Sequence, residues 1–96
     1  MKKGYWIVAY RSVLDESALR RYAQLATLAV EACDGKILIS TSEIQARELG
    51  LEQRVVVVEF KSLEHAIAAY NSAAYQSALR ALGSAAERDF RIVEGT

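Results

Sequence analysis

Apolar residues along the chain follow two different spacings, which separate predicted strands from predicted helices. Short runs rich in β-branched and aromatic residues predict four strands, at residues 4–10, 36–41, 54–60 and 89–94. Longer stretches with apolar residues three or four positions apart predict helices from Asp15 to Cys33 and from Ser62 to Leu82. The order is strand, helix, strand, strand, helix, strand. This order predicts an α+β fold with ferredoxin-like βαββαβ topology, a four-stranded antiparallel sheet and helices on one face.

Capping residues refine the limits of the predicted helices. Asp15 and Ser62 are suitable N-caps, and Gly35 is expected to supply the left-handed residue that ends the first helix. Asn71-Ser72 interrupt the apolar pattern, so the second helix is expected to consist of two pieces. Residues 42–53 fit either a short helix or an irregular strand over a sheet edge, with a turn at Gly50 in both cases.

The first and third predicted strands are apolar on both faces. A strand with one face in water would instead alternate between apolar and polar residues. Two helices cover only one face of a sheet, so we expect a second copy of the chain to cover the other and form a homodimer through the sheet faces. The strand pattern alone does not decide which face this is. The residues expected there are Tyr5, Ile7, Val55, Val57 and Val93.

Composition narrows the classes of partner and compartment. The 96 residues form a single predicted domain, 1–96, and 12 basic side chains balance 12 acidic ones. No broad field therefore attracts nucleic acid. RNA-binding sheets expose basic and aromatic residues in a glycine-containing octapeptide, whereas the third strand here, RVVVVEF, offers mainly aliphatic side chains and an acid. No apolar run approaches the ~20 residues of a membrane span. The single cysteine and the absence of a signal sequence favour the cytoplasm.

Several polar and aromatic residues are candidates for a small-molecule site between sheet and helices. Tyrosine rings beside a guanidinium suit an aromatic or carboxylated ligand, and the helix that begins after Ser72 offers N–H groups to an anion. The alternative is that the tyrosines only pack in the core and that Ser72 only caps a helix. The predicted ligand-binding residues are Arg54, Tyr70, Ser72, Tyr75 and Tyr10, and Tyr22 could join the same cavity.

Two further residues are candidates for acid-base chemistry. His65 is the only histidine, and it is either a proton-transfer group or a solvated residue in the first turn of a helix. Glu59 lies on an otherwise apolar strand. It is either a general base whose pKa burial raises or a partner for Arg54 or Arg91. No metal-ligand cluster and no glycine-rich dinucleotide loop are present, so we predict neither a metal nor a cofactor.

Three strings resemble one known family: KGYWIVAY near the start, RVVVVEFKSLEHAIAAYNSAAYQSALRAL in the centre and RIVEGT at the end. The family is named domain of unknown function 1330. The resemblance implies the fold of the dimeric α/β-barrel superfamily, in which two sheets pack face to face and each keeps a cleft under its helices. This chain departs from the family pattern at Ala73-Ala74, where Pro-Glu is usual, and at Thr41-Ser42, where a glycine pair is common.

The residues and the resemblance leave two functional hypotheses. The first is a protein that binds or converts a small aromatic or carboxylated molecule in the cleft without a cofactor. The second is a non-catalytic dimeric module with a structural or ligand-binding role. The sequence does not distinguish them, because the family name carries no reaction and fold alone does not determine activity.

Overall fold

A computed structural model describes residues 1–96 of the protein. The chain folds into a four-stranded antiparallel sheet with helices on one face. The elements in chain order are β1 (Gly4–Val13), α1 (Glu16–Ala32), β2 (Lys36–Thr41), β3 (Val55–Phe60), α2 (Leu63–Tyr70), α3 (Ala73–Leu82) and β4 (Ala86–Glu94). The strand order in the sheet is β2-β3-β1-β4. The predicted ferredoxin-like topology is confirmed, with the second helix divided into α2 and α3.

Side chains of β1 show which face of the sheet meets the helices. Trp6, Val8 and Tyr10 are each exposed by 3% or less, whereas the intervening Ile7 and Ala9 are only partly buried. Because strand side chains alternate between faces, the first set belongs to the core under the helices. The opposite face, called here the uncovered face, carries the residues expected for a dimer: Tyr5, Ile7, Val55, Val57 and Val93.

Side-chain caps begin all three helices. The Asp15 carboxylate accepts from the Ala18 N–H at 3.1 Å, and the hydroxyl oxygens of Ser62 and Ser72 each accept from a backbone N–H at 3.2 Å. These bonds satisfy donors that lack a partner within the helix. The predicted break at Asn71-Ser72 is therefore confirmed, because Ser72 starts a new helix. None of the three helices is both long and apolar enough to cross a membrane.

The end of α1 differs from the expectation for Gly35. Asp34 adopts the left-handed conformation, with φ 58°, which a short polar side chain tolerates better than most. Gly35 is needed for another reason. A Cβ at that position would lie 2.6 Å from the Phe60 ring, so the glycine allows the chain to pass close to the core.

The segment between β2 and β3 contains neither the short helix nor the irregular strand considered for residues 42–53. It is an extended loop, and a turn closes where the Gly50 N–H donates to the Arg47 carbonyl at 2.9 Å. Leu49 in this loop is 98% exposed. The apolar side chain of Leu49 had suggested that this segment packs against the sheet, but Leu49 lies in solvent.

Candidate functional site

A cavity of about 320 Å³ lies between α1 and the helix-facing side of the sheet. Its volume is near the lower end of the range found for small-molecule sites. Most of its lining is apolar or aromatic, including Trp6, Val8, Leu19, Val30, Val56 and Phe90. These side chains come from both layers of the fold, so the cavity is the predicted cleft between sheet and helix.

Charged side chains in the cavity are mostly cationic. Arg20, Arg54 and Arg88 line it together with one carboxylate, Glu16, although the chain as a whole has 12 basic and 12 acidic residues. The salt bridges of the protein join other residues, and none of these three arginines has a carboxylate within 4.0 Å. The cavity therefore holds an excess of positive charge within a neutral protein, which favours anionic ligands.

The register of the sheet places polar side chains side by side at one end of the cavity. Tyr10 on β1 pairs with Arg88 on β4, and its backbone N–H donates to the carbonyl of Arg54 at 2.9 Å. The Arg54 guanidinium donates to Ser40 Oγ on β2 at 2.7 Å. We call Ser40, Arg54, Tyr10 and Arg88 the polar end. A β-bulge in β1 directly follows Tyr10, as is frequent beside functional sites.

The Arg88 guanidinium is enclosed by aromatic rings. Its central carbon lies 4.9 Å from the centre of the Tyr22 ring, 5.6 Å from that of Tyr10 and 5.3 Å from that of Phe90. Its Nη1 donates to the Tyr22 hydroxyl at 2.9 Å. Burial acts to lower the pKa of Arg88, but the interactions with the Tyr22 and Tyr75 hydroxyls outweigh burial and raise it. Arg88 is therefore a permanent cation in the cavity.

Behind Arg88, two tyrosines share a hydrogen bond. The hydroxyl oxygens of Tyr22 and Tyr75 are 2.6 Å apart, and Tyr75 is 0% exposed. Tyr22 lines the cavity, whereas Tyr75 lies behind it within the core, with its ring 4.7 Å from that of Trp6. Burial raises the pKa of Tyr75 and that of Tyr10, so both hydroxyls keep their protons at neutral pH.

The predicted ligand-binding residues differ in their position relative to the cavity. Tyr10 and Arg54 line the cavity, and Tyr75 touches it only through the Tyr22 hydroxyl. Tyr70 instead packs its ring at 5.1 Å from Phe90, within the aromatic core.

Ser72 is outside the cavity lining and is the N-cap of α3. Its hydroxyl accepts from the Tyr75 N–H and donates to the Ala69 carbonyl at 2.7 Å. These two bonds link the end of α2 to the start of α3, so the structural alternative for Ser72 accounts for its observed contacts.

The acid-base candidates are both outside the cavity lining. His65 is exposed, and its Nδ1 lies 2.7 Å from the hydroxyl of Ser62, the residue that caps the same helix. Glu59 is on the uncovered face. There it accepts from the Tyr5 hydroxyl at 3.0 Å and from Lys3 at 3.3 Å, so neither Arg54 nor Arg91 is its partner.

The pKa of Glu59 contradicts one of the two alternatives, the general base. A hydrogen bond from the Tyr5 hydroxyl lowers it, with Lys3 adding to the effect, which is opposite to the general-base alternative, in which burial would raise the pKa. That alternative required Glu59 to lie in an apolar environment. The donors that surround it favour the ionised form instead.

Arg88 is the site residue that the sequence analysis missed. The last strand was predicted to start at Asp89, which left Arg88 in a connecting segment, but β4 starts at Ala86. The alternation of Arg88, Phe90 and Ile92 along one face was the available signal. It places an arginine in line with two core residues.

No group of three or more histidine, cysteine, aspartate or glutamate side chains is arranged to hold a metal ion. The polar groups of the cavity are instead guanidinium and hydroxyl groups, together with the carboxylate of Glu16. Hydroxyls donate as well as accept, whereas guanidinium groups only donate, so this set suits an acceptor-rich organic group.

The chain belongs to the family described as Domain of unknown function (DUF1330), whose sequence profile matches residues 3–96. This result confirms the resemblance drawn from the sequence. No curated protein sequence is significantly similar to the chain.

Solved structures with the same fold include proteins from three bacteria. A protein of unknown function from Rhodopseudomonas palustris is 15% identical, with a TM-score of 0.72 over 97% of this chain and 80% of that one. A nipsnap family protein of unknown function from Agrobacterium tumefaciens str. C58 is 18% identical, with a TM-score of 0.56 and coverages of 98% and 88%. A provisionally assigned antibiotic biosynthesis monooxygenase from Caulobacter crescentus CB15 is 11% identical, with a TM-score of 0.59 and coverages of 99% and 90%. At these identities the likeness establishes a shared fold only.

Proposed function

We propose that this protein binds a small organic acid in the cavity between α1 and the sheet. The observation that carries the proposal is the charged guanidinium of Arg88, which lies among aromatic rings with no carboxylate partner. A partly buried charge without a counter-ion is unfavourable, and proteins normally pair it. An acidic group on a ligand would complete this arrangement.

The rest of the cavity supports a flat, apolar body for that acid. Trp6 and Phe90, with ring centres 5.3 Å apart, line the cavity beside the aliphatic side chains of Val8 and Val56. Such walls favour an aromatic or unsaturated carbon skeleton. Arg54, at the other side of the polar end, adds to the attraction for a negative charge.

Binding without turnover agrees better with the site than catalysis does. Tyr10 and Tyr75 have raised pKa values, so neither acts as a general base near neutral pH. The one carboxylate in the lining belongs to Glu16, in the solvent-exposed first turn of α1. His65 and Glu59 are outside the lining. The monooxygenase assignment of the Caulobacter protein does not alter this proposal, because the two chains are only 11% identical.

A thermal-shift panel tests the proposal. Benzoate, 4-hydroxybenzoate and cinnamate should raise the melting temperature, because a ligand at about 100 times its Kd stabilises the native state by roughly 2.7 kcal/mol. The matched amides, benzamide and cinnamamide, are the controls and should produce a smaller rise. If no acid in a broad panel changes the melting temperature, a purely structural module is the better account.

We also propose that a second copy of the chain covers the uncovered face and forms a homodimer. The centre of this face is aliphatic, and four of its charged groups form ion pairs within the chain: Lys3 with Glu59 at 3.3 Å and Arg91 with Asp89 at 3.0 Å. A surface on a small domain with an aliphatic centre suits a self-complementary contact. Sedimentation velocity at micromolar concentration should give a dimer, and a monomer would contradict this proposal.

A further inference from the structure

The hydrogen bonds of the Tyr22 hydroxyl determine the direction of its proton. A tyrosine hydroxyl donates one hydrogen bond, and its oxygen also accepts. The Tyr22 oxygen lies 2.9 Å from Arg88 Nη1 and 2.6 Å from the Tyr75 oxygen. A guanidinium group only donates, so Arg88 uses one acceptor position on Tyr22.

The direction of the second bond follows from the burial of Tyr75. Tyr75 is 0% exposed, and the Tyr22 oxygen is the only acceptor bonded to its hydroxyl, since Arg88, which also interacts with the Tyr75 oxygen, can only donate. If Tyr22 donated to Tyr75, the proton of Tyr75 would remain buried without an acceptor, which is an unfavourable state. Tyr75 is therefore the donor in this pair and Tyr22 is the acceptor.

Both acceptor positions of Tyr22 are then occupied, and its own proton must point elsewhere. Tyr22 is 7% exposed and lines the cavity, and no protein group accepts a hydrogen bond from it. Its O–H is thus a buried donor without a protein partner beside the cavity. Arg88, at the same place, uses one of its five N–H groups for Tyr22 and has others available.

We propose that the cavity selects a carboxylate by donating two hydrogen bonds to it, one from Arg88 and one from the Tyr22 hydroxyl. Tyr75 is a positioning residue that keeps the Tyr22 proton directed at the ligand. This inference rests on the proposed function and names its chemical class as aromatic or unsaturated monocarboxylic acids. A carboxylate presents two acceptor oxygens and a negative charge. A carboxamide of the same shape would bring its own N–H groups against protein donors.

Calorimetric titration with cinnamate and cinnamamide tests this selection, because the two compounds share size and shape. The native protein should bind cinnamate at least tenfold more tightly than cinnamamide, as expected for hydrogen bonds to a charged group. Tyr22→Phe should weaken cinnamate binding by roughly tenfold and change cinnamamide binding little. The cinnamate-to-cinnamamide affinity ratio should therefore fall.

Tyr75→Phe tests the positioning role, since Phe keeps the ring but frees an acceptor position on Tyr22. The cinnamate-to-cinnamamide affinity ratio should fall by several-fold, because the Tyr22 oxygen can then accept a hydrogen bond from the N–H group of cinnamamide. Tyr70→Phe is the matched control. Tyr70 belongs to the same aromatic cluster, with its ring 5.3 Å from that of Tyr75, but its hydroxyl makes no hydrogen bond. Loss of the Tyr70 hydroxyl should leave the cinnamate-to-cinnamamide affinity ratio unchanged.

The outcomes separate the selection from the proposed function. If no acid binds, the proposed function fails and the carboxylate selection fails with it. If acids bind through Arg88 but the ratio is the same in the native protein, Tyr22→Phe and Tyr75→Phe, the proposed function stands and the two-donor selection is overturned. Circular dichroism establishes that each variant folds. Should Tyr75→Phe not fold, the ratio in Tyr22→Phe decides alone.

Discussion

Arg88 and Arg91 lie three positions apart on β4, and their side chains point to opposite faces of the sheet. On the uncovered face, Arg91 donates to both carboxylate oxygens of Asp89, at 3.0 and 3.2 Å, and these bonds lower the pKa of Asp89. In the cavity, Arg88 donates to a neutral hydroxyl and meets no carboxylate. One arginine is thus neutralised by the fold, whereas the other keeps a charge available to a ligand. In the proposed function, Arg91 is therefore a structural cation and Arg88 a ligand-binding one.

The largest expected effect concerns the uncovered face. Val57 pairs with Ile7 across the sheet, and in the proposed dimer both are buried between two sheets. Val57→Asp should dissociate or unfold the protein, because an unpaired buried carboxylate costs several kcal/mol, out of a typical stability of about 5–15 kcal/mol. Sedimentation velocity and circular dichroism would measure both effects.

A charge on the outer side of α1 is the control for Val57→Asp. Leu28 is 64% exposed, so Leu28→Asp should remain a folded dimer. If Val57→Asp also remains a folded dimer, the uncovered face is not an interface.

The next effect compares the two arginines directly. Arg88→Met should remove the rise in melting temperature caused by cinnamate, with an affinity loss of roughly tenfold to a hundredfold. The unliganded variant should melt at the same temperature or higher, since an apolar side chain replaces an unpaired charge. Arg91→Met should keep the cinnamate response. Equal responses in the two variants would show that β4 does not present a binding cation to the cavity.

The third effect compares buried and exposed tyrosines at high pH. Burial raises the pKa of Tyr75 in the folded protein above its usual value of 10.0. Its contribution to stability is complete below pH 10, and it is lost as pH rises through the folded pKa, because the unfolded chain then binds fewer protons. Above pH 10, Tyr75→Phe should reduce the downward slope of the unfolding free energy by about 1.4 kcal/mol per pH unit. Urea unfolding at several pH values measures this slope.

Tyr5 on the uncovered face provides the comparison for that slope. Its pKa is raised mainly by the hydrogen bond that it donates to Glu59, and its surroundings are open to solvent in the single chain. Tyr5→Phe should therefore change the slope less than Tyr75→Phe does. At a protein concentration low enough to keep the chain monomeric, an equal change would mean that burial of Tyr75 is not the main cause.

The smallest effect distinguishes a capping hydroxyl from a cavity hydroxyl. Ser72→Ala should destabilise the protein by about 1 kcal/mol, through loss of the N-cap of α3, without changing cinnamate affinity. Ser77→Ala, at an exposed position within the same helix, should be nearly neutral. Urea unfolding and calorimetry together measure the two quantities. A weaker affinity for cinnamate in Ser72→Ala would place Ser72 in the site after all.

Local spacing was sufficient to predict the strands and helices, because the alternation of Trp6, Val8 and Tyr10 is a property of the strand itself. It did not show which face the helices cover, since both faces of β1 are apolar. That choice is made by packing between distant parts of the chain. The turn at Gly50 was predicted correctly, but the surrounding loop was not, because exposed leucines resemble core residues in a sequence.

The candidate site was predictable only in part, for a related reason. Tyr10 and Arg54 were predicted as site residues because they lie on or beside strands with an unambiguous sequence pattern. Arg88 was not predicted as a site residue, because the last strand was predicted to begin three residues too late. His65 and Ser72 have reactive side chains, but each bonds to groups within three residues along the chain. Residue type alone does not separate such local bonds from ligand contacts.

The position of β1 at the centre of the sheet has a consequence for folding kinetics. Its two neighbours come from the middle and the last part of the chain, and Gly4 pairs with Glu94. Such distant pairing slows folding, and β4 is the strand that brings Arg88 beside Tyr10. A ligand that needs Arg88 therefore binds only chains in which β4 has docked. We expect such a ligand to lengthen the lifetime of the folded state while leaving the rate of folding unchanged.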